Sequence, residues 1–192
     1  MARKKTITKE QILDATYDII MTEGFAGFTA RNIATKMKCS TQPIYLEFKN
    51  MNDLKIELFK KIEEYLYEKV FDKVVTGHPF IDTNLNYIHF ACEQSTLYRA
   101  LYLEGHSGND ILNQFSRKVF MEGMEKEPSL QNLSEGQKEA VFSGTWIVAT
   151  GIATLSVGSL IQPTDEEIMK LLNDVIKSVV ANDFNQILTY VI

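Results

Sequence analysis

Apolar residues in this chain recur at spacings of three and four, and nowhere alternate with a period of two for long. That pattern predicts helices and no convincing strand. Ile12, Leu13, Ala15, Thr16, Ile19 and Ile20 form the first stripe. Thr8 precedes it as an N-cap, Gln11 completes a capping box, and Gly24 is expected to stop the helix as an αL cap. Ile33, Ala34 and Met37 form a second, short stripe behind Thr29, with Arg31 and Lys36 turned outward. Lys38-Cys39 makes a break, and Ser40 is expected to cap a third helix over residues 40–47. Ile44 and Phe48 stand four apart and face inward, while Pro43 sits in the first turn, where a missing N–H costs nothing. A fourth helix opens at Asn50 or Asn52 and is expected to run to about Val75.

Thr76-Gly77-His78-Pro79 is the clearest interruption. Helical patterns follow at 83–93, 96–103, 109–126, 134–160 and 164–188. Breaks fall at 105–108, Glu127-Pro128 and Gln162-Pro163, and capping-box starts at Ser134 and Thr164. The expected fold is all-α with about nine helices. No charge falls between Glu139 and Asp165, a length that could span a membrane. Six Ser and Thr residues and three glycines interrupt the run and no basic cluster flanks it, so a buried helix and no membrane span are expected. Gly144, Gly151 and Gly158 repeat every seven residues, and Leu172, Val175 and Val179 lie on the apolar stripe of the last helix. Close packing inside one subunit explains such a stripe; a seam between two subunits is the sharper reading, and these six residues are its candidates.

Charge alters the picture at one end. Residues 1–50 hold eight basic and five acidic side chains, a balance of +3; the whole chain is −5, which leaves −8 for the rest. A basic head on an acidic body suits a protein that meets a polyanion with one end. Cys39 and Cys92 stand far apart and in no metal spacing, so reduced thiols of a cytoplasmic protein are expected. No apolar segment follows Arg3-Lys4-Lys5, and no signal peptide is expected. His78, His89 and His106 lie in unrelated contexts, and no catalytic set, metal motif or cofactor loop is present, so no catalytic residue, metal or cofactor is assigned. His89, between Ile88 and Phe90, reads as a satisfied structural histidine.

Residues 29–48 carry the chemistry. Two short helices, a tight break, and polar residues crowding the start of the second helix form the pattern of a helix-turn-helix whose second helix enters a DNA groove. Thr41 and Gln42 are the candidates for base edges: Gln pairs with adenine and the Thr methyl touches thymine. Tyr45, Lys49 and the Thr29 hydroxyl suit phosphates. Arg31, Lys38, Ser40 and Pro43 complete the candidate surface, and Arg3, Lys4 and Lys5 read either as an arm along the DNA or as a solvated tail.

The series Thr29, Ile33-Ala34, Ser40, Ile44-Tyr45, Phe48-Lys49-Asn50 and Leu54 resembles the N-terminal signature of the tetracycline-repressor (TetR) family of bacterial transcription regulators, over about residues 8–58. Three positions depart from it: Lys38 where the family usually has Gly, Glu47 where it often has His, and Met51 where it usually has Lys. The resemblance implies a helix-turn-helix domain over 1–50, a connecting helix over 51–76 and a helical effector-binding and dimerisation domain over 77–192. It implies a homodimer on a near-palindromic double-stranded DNA operator, released by a small molecule. Tyr87, Phe90, Tyr98, Tyr102, Phe115, Phe142 and Trp146 are the candidates to line a pocket for a small apolar or aromatic effector, although plain core explains each of them as well. The rival reading is a helical protein-interaction module whose helix-turn-helix no longer binds DNA.

Overall fold

The computed structural model describes residues 7–104 and 109–182. Arg3, Lys4, Lys5 and His106, the break at 105–108 and the end of the last predicted helix lie outside the described residues. Those residues form nine α-helices and no strand: α1 Lys9–Glu23, α2 Ala30–Lys36, α3 Gln42–Glu47, α4 Met51–Leu66, α5 Pro79–Glu93, α6 Ser95–Tyr98, α7 Asn109–Lys126, α8 Glu135–Val157 and α9 Asp165–Ala181. Turns of π-helix extend α4 over Tyr67–Phe71 and α6 over Arg99–Leu103. The fourth helix therefore closes at Phe71 rather than near Val75.

The chain packs as two compact units. Of the described residues, the first comprises 7–64, 96–104 and 109–112, the second 65–95 and 113–182. Placement of 96–112 in the first unit has no counterpart in the linear pattern.

In the first unit, α1 to α4 close over Ile12, Ile19, Ile33, Ala34, Ile44, Phe48 and Leu54. Fully burying a side chain of this size stabilises by about 1.5–3 kcal/mol, so this cluster holds the two short helices α2 and α3, which could not persist alone. The capping box at α1 forms as expected: Gln11 N–H donates to Thr8 Oγ1 at 3.3 Å and Thr8 N–H to Gln11 Oε1 at 3.1 Å. Gly24 does end α1, but not as an αL cap. Its φ of 67° is paired with a ψ of −166°, a conformation essentially confined to glycine. The chain turns there into a 3-10 helix, Gly24–Gly27, whose Phe25 N–H donates to the Glu104 carboxylate at 3.3 Å.

In the second unit, α5 is buried on nearly every side from Phe80 to Ala91, and packs against α8 and α9. Asp82 ties down the preceding loop, accepting from Thr76 N–H (2.7 Å), Thr76 Oγ1 (2.6 Å) and Gly77 N–H (3.1 Å). Both expected capping boxes form, Ser134 with Gln137 and Thr164 with Glu167. α8 is long and apolar enough to cross a membrane by length and composition; 44% of its apolar window is buried within the unit. Its end was expected beyond Gly158. Gly158 is instead the C-cap at φ −77°, and Ser159 takes the left-handed position at φ 57°. Leu160 N–H reaches Leu155 C=O at 2.9 Å and Ser159 N–H reaches Ser156 C=O at 2.9 Å, a Schellman stop built on serine.

Candidate nucleic-acid interface

The break between α2 and α3 is also a Schellman motif. Cys39 N–H donates to Ala34 C=O at 3.0 Å and Lys38 N–H to Thr35 C=O at 3.1 Å. Lys38 occupies the left-handed position with φ 53°. The turn thus keeps the geometry a glycine would favour while carrying a cation. Cys39 packs on the apolar cluster and anchors the motif.

Ser40 does not cap α3. The N-cap is Thr41, with helical φ and ψ and no side-chain bond, and Pro43 is the second helical residue rather than the third. The chain is already helical at Thr41, so Ser40 lies outside the turn it was expected to close. Thr41 and Gln42 are exposed, and among the described residues their side chains make no hydrogen bond. Thr29 does cap α2, accepting from Asn32 N–H at 3.1 Å, which still leaves its hydroxyl hydrogen to donate. Asn50, not Asn52, opens α4: its Oδ1 accepts from Asp53 N–H at 2.9 Å, and Asp53 Oδ2 accepts from Lys49 N–H at 3.1 Å.

α3 therefore has a fixed inner face and a free outer one. Ile44 and Phe48 are 1% and 2% exposed, with the Lys9 ammonium 5.4 Å from the Phe48 ring centroid. Outside stand Gln42, Tyr45, Leu46 and Glu47. Leu46 is 76% exposed, and sequence reasoning passed it over. A signal existed: once Ile44 and Phe48 face inward, the residue midway between them on a helix must face out.

Many of the unit's cations are neutralised internally. Lys36 pairs with Asp18 at 3.2 Å, Lys9 with Glu57 at 3.1 Å, and Lys61 with Asp14. The two lysines beside it, Lys60 and Lys9, hold the Glu57 carboxyl below its usual pKa, chiefly through hydrogen bonds. Among the described residues Arg31, Lys38 and Lys49 have no ion-pair partner, and all three are exposed. They lie on α2, in the turn before α3 and just after α3, so two of the three flank α3 in sequence.

The seven aromatic candidates fall in both units. Tyr98 and Tyr102 stack in the first unit, with centroids 5.5 Å apart, whereas Tyr87, Phe90, Phe115, Phe142 and Trp146 lie in the second. There Tyr87 and Phe120 pack on Trp146 at 5.0 and 5.1 Å, and Tyr87, Phe90, Phe115 and Phe142 are all buried. Trp146 is half-buried beside them. A concavity of about 310 Å³ opens elsewhere in this unit, beside Tyr67, Phe71, Asp72, Glu122 and Lys126, and is lined by none of the seven. Tyr67 donates to Glu122 Oε2 there at 3.0 Å, and that bond to an anion holds the phenol above its usual pKa. His89 is satisfied as expected, its Nε2 2.7 Å from Asp165 Oδ1.

The seam candidates also need correction. Leu172 and Val179 are 0% and 2% exposed, and Gly144 is buried, so none of these has area left for a partner. Val175 is half-buried and Gly158 lies at the helix end. Gly151 is exposed with open space at its missing β-carbon. The outward apolar positions are Ile147 and Leu155 on α8 and Leu171 and Val180 on α9.

No family model and no curated protein matches the chain. Solved structures do. A TetR-family protein from Vibrio parahaemolyticus is 18% identical, with 88% of this chain and 97% of that one covered at a TM-score of 0.60. A TetR-like transcriptional regulator from Rhodococcus sp. RHA1 is 16% identical, with 93% and 98% covered at 0.55. The transcriptional regulator FadR from Bacillus subtilis, solved in complex with stearoyl-CoA, is 17% identical, with 91% and 98% covered at 0.53. The fold of this chain is that of the TetR-like transcriptional regulators.

Proposed function

We propose that the protein is a cytoplasmic, DNA-binding transcriptional regulator that acts as a homodimer, a repressor released from a near-palindromic operator by a small molecule. The observation that carries this reading is the free outer face of α3, locked from beneath by Ile44 and Phe48 and flanked in sequence by the exposed Lys38 and Lys49, which have no ion pair among the described residues. Thr41 and Gln42 meet base edges; Thr29, Tyr45 and Lys49 meet phosphates. Arg3, Lys4 and Lys5 add sequence-independent attraction. The reading assigns the chain no catalytic role.

Ile147, Gly151 and Leu155 lie one turn apart on α8 and supply an uncharged outward face on which a second copy packs, together with Leu171 and Val180 of α9. A two-fold pair presents two copies of α3 to half-sites about one DNA turn apart. The effector belongs to the second unit. The stearoyl-CoA held by the Bacillus subtilis regulator supports a ligand with an apolar portion.

Selection of bound sequences from a random DNA pool tests the reading directly. Enrichment of paired half-sites with a spacing of about 10 base pairs is expected. No enrichment, and no retention of random DNA at low salt, would favour the interaction module instead.

A further inference from the structure

We infer that Leu46 is a specificity-determining residue that reads a thymine methyl group in the major groove, about two base-pair steps from the base read by Gln42. The inference rests on the regulator reading above and adds to it a contact and a spacing.

Leu46 is the most exposed large apolar residue of the first unit, 76% accessible on a helix of six residues. Its neighbours on the inner side, Ile44 and Phe48, are almost fully buried, so the backbone beneath it is fixed and Leu46 cannot rotate into the core. Gln42 is exposed four residues earlier, so the two side chains lie on one face. Four residues of α-helix rise about 6 Å. Base pairs stack about 3.4 Å apart along the duplex axis, so a helix lying along the groove sets the two readouts about two steps apart. Lys38 and Lys49, exposed and without an ion pair among the described residues, flank α3 in sequence, which favours a polyanionic partner over a neutral apolar one. In the major groove the apolar feature that distinguishes bases is the thymine C5-methyl group, and apolar side chains are its partners. A leucine that meets water when free and a methyl when bound contributes through burial alone, without a hydrogen bond.

Replacing single thymines of the recovered operator by deoxyuridine removes the methyl and nothing else. Full-length protein is expected to bind about fourfold more weakly when the thymine about two steps from the base read by Gln42 is replaced, the equivalent of about 0.8 kcal/mol for one buried carbon. Leu46→Ala is expected to bind thymine and uracil probes equally, and Leu46→Met to keep the preference. If Leu46→Ala weakened both probes alike while retaining the fourfold difference, or if no thymine in the half-site responded to replacement, the leucine role would be overturned while DNA binding stood. Failure to recover any operator would overturn both readings. Exposure of Leu46 makes Leu46→Ala a safe variant for folding, and its helical circular dichroism is expected to match the parent.

Discussion

Lys38 combines a strained backbone with a charge at the candidate interface, and substitution by glycine separates the two. At φ 53° a residue with a β-carbon carries about 1–2 kcal/mol of left-handed strain. Glycine removes that strain but loses about 0.5–1 kcal/mol more conformational entropy on folding. The Schellman hydrogen bonds of Lys38 and Cys39 come from the backbone and survive the change. Lys38→Gly is therefore expected to stabilise the protein by roughly 0.5–1 kcal/mol. For a chain of this length that is a rise in melting temperature of about 1–4 °C. The same change deletes an unpaired cation next to α3. If Lys38 touches one phosphate, the slope of log affinity against log salt becomes shallower by about 0.9, with no change in preferred sequence. Urea titration and salt-dependent fluorescence anisotropy on one preparation measure both effects. A variant that unfolds more easily than the parent would refute the strain argument. A variant with unchanged salt dependence would remove Lys38 from the interface.

Gln42→Ala should lower discrimination between operator and near-operator sequences by about 1–3 kcal/mol, read from competitive gel shifts; undiminished discrimination would exclude it as a base reader. Lys49→Ala should weaken every sequence alike and flatten the salt dependence by about 0.9 in slope, whereas selective loss on one half-site would contradict a phosphate role. The Glu167 carboxyl is held below its usual pKa by the Thr164 backbone N–H and hydroxyl that cap α9. Its folded-state value lies below the unfolded one, so its contribution is present above the ordinary glutamate range and is lost as pH falls through the folded value. Amide protection at the start of α9, taken relative to the intrinsic exchange rate at each pH, should fall on acidification, and Thr164→Ala should blunt that fall; protection that rises on acidification would contradict the sign.

The helices of this protein were legible in its sequence because their determinants are local. Thr8 with Gln11, Ser134 with Gln137 and Thr164 with Glu167 each close a hydrogen-bonded ring within four residues, and no distant partner is needed to recognise them. The inward pair Ile44 and Phe48 followed from helical spacing alone, and so did the free face that carries Thr41 and Gln42. Tertiary structure decided what local rules leave degenerate. α8 carries no charge on any side from Ala140 to Val157, so only its neighbours determine that Gly144 turns into the core and Gly151 to the outside. Leu172 and Val179 sit on the same wide stripe as Val175, and packing on α8 selects the first two for burial. The seven aromatics divide between two units because residues 99–103 return to the 3-10 turn Gly24–Gly27 of the first unit, a long-range closure with no signature within any short window. Even Ser159, displacing Gly158 from the left-handed position by one residue, reflects a helix end set by Leu160 N–H finding Leu155 C=O rather than by the residue best suited to the turn. Sequence alone thus determined which segments are helical and which face of α3 is free. The three-dimensional packing determined which apolar surface is spent on the core and which remains for a partner, because burial depends on every neighbour at once.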